Sequence, residues 1–208
     1  MRILAAATLL FILSGNAISQ DALDDIRQRW SQPVEPYNVI ENIYYVGASG
    51  ISSHIIASSQ GLILLDTGAH PMVPQIHANI EKLGFNIKDV KFIISSHAHW
   101  DHVEGHAEMK RRTGAKIAAV GLDAASIEKG KDTSALGSVG WEPVKVEKIL
   151  EHSDTLTLGD VTMTANLTPG HTKGCTTWTT TVQHKGKTLN VVFIGGTSIN
   201  RGVELLGN

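Results

Sequence analysis

The stretch His97-Ala98-His99-Trp100-Asp101-His102 constrains this chain more than any other, because it places four potential metal ligands within six residues. It follows Val90-Lys91-Phe92-Ile93-Ile94-Ser95-Ser96, an apolar, β-branched run that reads as a strand ending at the cluster. Val103 to Arg112 then has helix-forming composition, blemished at Gly105. The ligands therefore belong on a loop leaving the end of a strand. Imidazole and carboxylate together suit Zn²⁺ better than Mg²⁺ or Ca²⁺, which prefer all-oxygen shells. His97 and His99, two apart, can reach one ion from an extended loop. Asp101 and His102 point elsewhere and could hold a second ion nearby.

A second motif, Thr168-Pro169-Gly170-His171-Thr172, follows one alternating strand pattern and precedes another. His171 would then project from a strand end as the first motif does. Joined to His97 and His99 it completes three nitrogens around one ion and leaves the fourth position to water, the arrangement of a catalytic zinc. Such an ion lowers the pKa of its water to about 7.

The rest of the chain reads as α/β material in one domain with more than one sheet. Asp21–Trp30 is a short helical candidate, followed by a lead-in through Pro33 and Pro36. Ile40–Val46, Ile51–Ser58 and Leu62–Asp66 have the spacing of an antiparallel meander, separated by Gly47, Gly50 and Gly61. Pro74–Leu83 places Ile76, Ile80 and Leu83 on one helical face. Further strands are expected at Lys116–Val120, Thr155–Leu158, Val161–Leu167, Cys175–Val182 and Leu189–Ile194, with a loop over Asp132–Gly140. With 208 residues, 42% hydrophobic and 18% charged, the chain can bury a substantial core and is not of disordered composition. A net charge of −2 without a basic stripe speaks against a nucleic-acid partner. One cysteine, Cys175, excludes an internal disulfide and a Cys-rich zinc module.

Residues 1–19 read as a secretory signal peptide: Arg2 is the charged start, Ile3 to Leu13 the apolar run, and Ala17-Ile18-Ser19 the cleavage signal before Gln20. The apolar run is too short for a membrane-spanning helix, which needs about 20 residues. The domain is expected at 20–208, exported to a periplasm, without a membrane anchor and as a monomer.

The two ligand motifs, together with Leu64-Leu65-Asp66-Thr67-Gly68, resemble the metallo-β-lactamase superfamily. Ile43-Tyr44-Tyr45-Val46-Gly47 and the run from Pro169 to Trp178 resemble its B3 subclass in particular. The B1 subclass would carry Arg in place of His102, and B2 Asn in place of His97. The resemblance runs from about Ile40 to the C-terminus. It implies an αββα sandwich with two zinc ions at one edge of the sheets. His97, His99 and His171 would bind the first ion, Asp101 and His102 the second. A hydroxide between the ions would attack the carbonyl of a β-lactam, with Asp101 orienting it, so the implied activity is antibiotic resistance by amide hydrolysis. Asp66 would fix a ligand by hydrogen bonding, or else simply end its strand at the turn before Gly68. Ser198 would contact a substrate carboxylate, since Gly196 supplies no side chain.

The family's second zinc needs one more histidine downstream, and His184, in a turn-like stretch, reads as a solvated hairpin tip. The chain is accordingly expected to be C-terminally truncated relative to the family. Its second zinc site would be one ligand short, and Leu189–Ile194 poorly covered. Cys175 and Trp178 read as core, and Trp100 as cleft lining or packing beneath its loop. His54, His70 and His77 read as structural and His106 as surface. Two other functions share the motifs: a thioester hydrolase or lactonase on the same fold, and an inactive zinc-binding fragment.

Overall fold

A computed structural model describes residues 20–132 and 139–199. The proposed signal peptide lies outside the described residues, as does most of the loop expected over 132–140. Strands β1 (Tyr37–Ile40), β2 (Ile43–Tyr45), β3 (His54–Ser58), β4 (Gly61–Leu65), β5 (Val90–Ile94), β6 (Lys116–Val120) and β7 (Lys148–Leu150) form one sheet in chain order. It is antiparallel up to β4 and parallel from β4 to β7. Parallel neighbours require crossovers, and helices supply them. The first helix, α1 (Gln20–Trp30), precedes the sheet; α2 (Val73–Lys82) links β4 to β5. Two short helices, α3 (Trp100–Val103) and α4 (His106–Thr113), link β5 to β6, and α5 (Gly121–Lys129) links β6 to β7.

The second sheet is an antiparallel set of four, β8 (Thr155–Leu158), β9 (Val161–Leu167), β10 (Thr176–His184) and β11 (Lys187–Phe193), in the order β11-β10-β9-β8. Alternation along these strands decides the packing. Leu156, Met163, Ala165, Trp178 and Val182 turn inward against Ile56, Ile63, Leu65, Ile94 and Ala118 of the first sheet. The opposite face of the first sheet buries Ile55, Leu64 and Ile93 against Val73, Ile76 and Ile80 of α2, Met109 of α4 and Ile127 of α5. Three of the four layers of an αββα sandwich are thus in place, and no helix follows β7 among the described residues.

The sequence expectations hold in outline and fail at several boundaries. Ile40–Val46 is not one strand: Glu41 takes a positive φ of 47° and the Asn38 side chain donates to its carbonyl, turning the chain between β1 and β2. Residues 51–53 lie outside β3. The expected Val103–Arg112 helix breaks at Glu104-Gly105 into α3 and α4. Any Cβ at Gly105 would lie 2.6 Å from Val73 Cγ2 and 2.9 Å from the Thr67 carbonyl, so the chain must pass there without a side chain. Helix α5 and strand β7 were not expected. His184 does flank the β10–β11 turn, where Lys185 and Gly186 both take positive φ as a two-residue hairpin requires. On β11, Val192 is largely exposed, as is Ile194 just beyond it. No helix among the described residues is long and apolar enough to cross a membrane.

Candidate metal centre

The parallel strands all end on one edge, where α/β sheets build their sites. Asp66 follows β4, Ser95 to His102 follow β5, and Asp123 lies in the first turn of α5 after β6. From the second sheet, the loop between β9 and β10 brings His171 to the same place.

His97, His99 and His171 converge: their ligand atoms lie within 4.8 Å of one another, and the ring centroids are 4.4–4.8 Å apart. Outer contacts fix which nitrogen of each ring faces inward. His97 Nδ1 donates to the Gly195 carbonyl at 2.8 Å, which leaves Nε2 as the inward lone pair. That Nε2 is buried and has no hydrogen-bond partner. His171 Nδ1 reaches the Ser198 carbonyl at 3.2 Å and its Oγ at 3.0 Å, so Nε2 again faces in. His99 presents Nδ1 inward, 3.1 Å from His171 Nε2, while its Nε2 lies 3.5 Å from Asp132 Oδ2. Two nitrogens 2.0–2.1 Å from one tetrahedral zinc lie about 3.3 Å apart. The observed 3.1 Å separation and the orphaned Nε2 of His97 therefore fit a zinc ion.

A second group joins His97 to Asp101 and His102, again with ligand atoms within 4.8 Å. His102 Nδ1 donates to Asp66 Oδ2 at 2.8 Å, and its Nε2 faces Asp101 Oδ2 at 3.5 Å. Asp66 takes a φ of 60°, a left-handed conformation unfavourable for a side-chain-bearing residue. In that pose its carboxylate also accepts from the Ser96 N–H at 2.7 Å and the Ser96 hydroxyl at 2.6 Å.

Charge and burial divide the histidines. Burial lowers the His97 pKa well below the usual value, and His102, His99 and His171 add repulsion to any proton it takes up. Burial lowers His99 too, with Asp132 partly opposing it. His102 is the reverse: burial pulls it down, but the charge and hydrogen bond of Asp66, with Asp101, outweigh this and raise it. His97 and His99 are thus held as neutral bases, the form that binds a metal.

Several contributors were not visible in the sequence. Ser96 links Asp66 to the ring nitrogens of His97 and His102, each at 3.2 Å. Asp123 and Asp132 are buried carboxylates beside the ligand loops. His106, expected at the surface, is fully buried and bridges Thr67 Oγ1 and Ser95 Oγ, each at 2.7 Å, beneath the site. Its position four residues past His102 gave no sign of this, because Thr67 and Ser95, which hold it, lie on other elements. Ser198, which the sequence did single out, stands against the outer nitrogen of His171. Trp100 stacks on Trp30 of α1, with ring centroids 5.9 Å apart, and Arg27 lies over its ring. Cys175 and Trp178 are buried as expected, and the Trp178 indole donates to the Ser95 carbonyl.

Comparison with known proteins fits this geometry. The family model of the metallo-beta-lactamase superfamily matches residues 46–183, which spans both ligand motifs. The chain is similar to BJP-1, a subclass B3 metallo-beta-lactamase of Bradyrhizobium japonicum, at 40% identity and a TM-score of 0.79, covering 85% of this chain and 69% of that one. It is also similar to a probable metallo-hydrolase of Burkholderia pseudomallei, 29% identical over 127 residues, 59% of this chain and 42% of that protein. A hydroxyacylglutathione hydrolase of a Methylobacterium species matches at 29% over 99 residues, 48% of this chain and 32% of that protein. The chain thus spans less than half the length of these two relatives. With two convergent ligand groups at the end of the parallel strands and a family match across most of both sheets, this chain belongs to the metallo-beta-lactamase superfamily.

Proposed function

We propose that the chain hydrolyses the amide bond of β-lactams in a zinc-dependent reaction, with His97, His99 and His171 holding the first ion and Asp101 and His102 contributing to a second. The observation that carries this reading is the set of three inward imidazole nitrogens, with each outer nitrogen held by a protein group. The 40% identity to a subclass B3 enzyme favours a β-lactam over other activated carbonyls. Bound zinc supplies a Lewis acid for the carbonyl and lowers the pKa of water to about 7.

The chain's own groups do the rest. His97, His99 and His171 would hold the ion through their inward nitrogens, and their outer partners keep the rings from turning. Asp101, whose Oδ2 lies beside His102 Nε2, would orient the attacking hydroxide by hydrogen bonding as well as contributing to the second ion. Asp66 holds His102 with Nε2 toward Asp101. Ser198 Oγ stands 3.0 Å from the outer nitrogen of His171, and its proposed second role is to contact a substrate carboxylate. On residues 1–19 alone, the reading places the protein in an exported compartment.

The match to a hydroxyacylglutathione hydrolase favours one second reading, thioester hydrolysis by the same site. Turnover of a chromogenic cephalosporin, an acyl-glutathione thioester and an acyl lactone by the purified chain separates the two. Chelator-sensitive cephalosporin turnover exceeding the others is the expected result. Thioester turnover with a silent cephalosporin would overturn the β-lactam assignment and leave the zinc site standing.

A further inference from the structure

We infer that Asp123 is a positioning residue that clamps the two ligand loops into one metal site. The three histidines come from two loops, and their meeting depends on something that touches both. Asp123 does so with both carboxylate oxygens. Its Oδ2 accepts from the Ala98 N–H at 2.8 Å and from the Thr172 hydroxyl at 2.7 Å, and its Oδ1 accepts from the Gly174 N–H at 2.9 Å. Ala98 is the residue between His97 and His99, and Thr172 is the residue after His171. One buried side chain therefore sets the peptide that spaces two ligands and the loop that delivers the third.

The second loop is also seated by contact. A Cβ at Gly174 would lie 2.5 Å from the Asp123 N and 2.6 Å from its Cβ and Cγ, so only glycine lets the loop approach this closely. Functional groups must stand within about 0.5 Å of their working positions to act together. Asp123 supplies that constraint without touching a ligand ring, so its loss should loosen the site while leaving every ligand present. Asparagine keeps the size but replaces one acceptor with an N–H₂, which faces donors already aimed at it.

This inference rests on the zinc reading of His97, His99 and His171, and metal binding tests it independently of any substrate. Full-length wild-type, Asp123→Asn, Thr172→Val and Thr172→Ser chains would be titrated with Co²⁺ and Zn²⁺, following the visible Co²⁺ bands and the affinity. Expected are a metal affinity about tenfold weaker and altered band shapes at saturation for Asp123→Asn, the same direction for Thr172→Val, and near-wild-type behaviour for Thr172→Ser. Val161→Ala, in the core between the sheets, is the stability control: it should lower Tm without changing affinity or spectrum. If Asp123→Asn does not fold, the two Thr172 variants decide. Affinities within about twofold of wild type and unchanged spectra for Asp123→Asn and Thr172→Val would overturn the clamp, as would equal weakening in Val161→Ala. A wild-type chain that gives no Co²⁺ bands would sink the zinc reading itself.

Discussion

Each histidine of the centre is defined by what its outer nitrogen touches, and Asp66 shows how much one residue can set. Its left-handed backbone lets one carboxylate meet Ser96 twice and His102 once. An asparagine in its place would keep that backbone, since asparagine tolerates φ > 0, but would remove the anion beside His102. Asp66→Asn is therefore expected to weaken binding of the second metal equivalent about 10–100-fold with the first little changed, read by isothermal titration. His106 carries a different prediction. Burial holds its imidazole at about 4, against about 6.5 when unfolded. Between those values the unfolded chain binds the extra proton, so stability falls as pH drops from about 6.5 and levels off near 4. The gap is worth on the order of 3 kcal/mol, and His106→Gln should remove that part of the slope in urea denaturation of metal-free protein from about pH 7 to 4.5. Parallel slopes for wild type and variant would contradict it. At this scale the ligands were legible because metal chemistry dictates residue type and spacing. Ser96, Asp123 and His106 were not, because their meaning comes from partners such as Asp66, Thr172 and Thr67 that lie about 30 or more residues away in the chain.

Strands announced themselves where one face is buried and the other wet: Thr155–Leu158 and Val161–Leu167 follow their alternation to the residue. Helix α5 did not, since it begins at Gly121 with no side-chain cap and its apolar residues make no clear stripe. The α3–α4 break was visible only as a glycine inside a helical composition. Its cause is tertiary: Val73 and Thr67 occupy the space a side chain at 105 would need. With φ at −81°, Gly105 carries no backbone strain, so the effect of adding a methyl there is steric. Gly105→Ala should cost about 1–3 kcal/mol in chemical denaturation, the usual cost of overpacking. It should also weaken metal binding, because the Thr67 N–H beneath it donates the bond that holds the His102 carbonyl. A neutral substitution would show that α4 shifts freely and that the contact does not position the site.

Two sheets meet over a shared apolar layer, and the site sits where loops from both converge, so the metal should tie the halves of the molecule together. Zinc at about 100 times its Kd stabilises a folded chain by about 2.7 kcal/mol, which corresponds to a Tm rise of roughly 5–10 °C at this size. His99→Ala should abolish that rise, and an undiminished rise in the variant would place the stabilising ion elsewhere. Length, charge and hydropathy constrained the molecule only to one globular domain; the strand and helix patterns made it α/β, the two-sheet sandwich was expected from the family resemblance, and the convergence of distant loops comes from packing that no local pattern encodes. X-ray absorption at the zinc edge, on the full chain loaded with one equivalent of zinc, tests the central claim most directly. Three imidazole nitrogens at about 2.0–2.1 Å, lost in His171→Ala, are the expected result. A sulfur at about 2.3 Å, or an all-oxygen shell unchanged by that substitution, would contradict the three-histidine site.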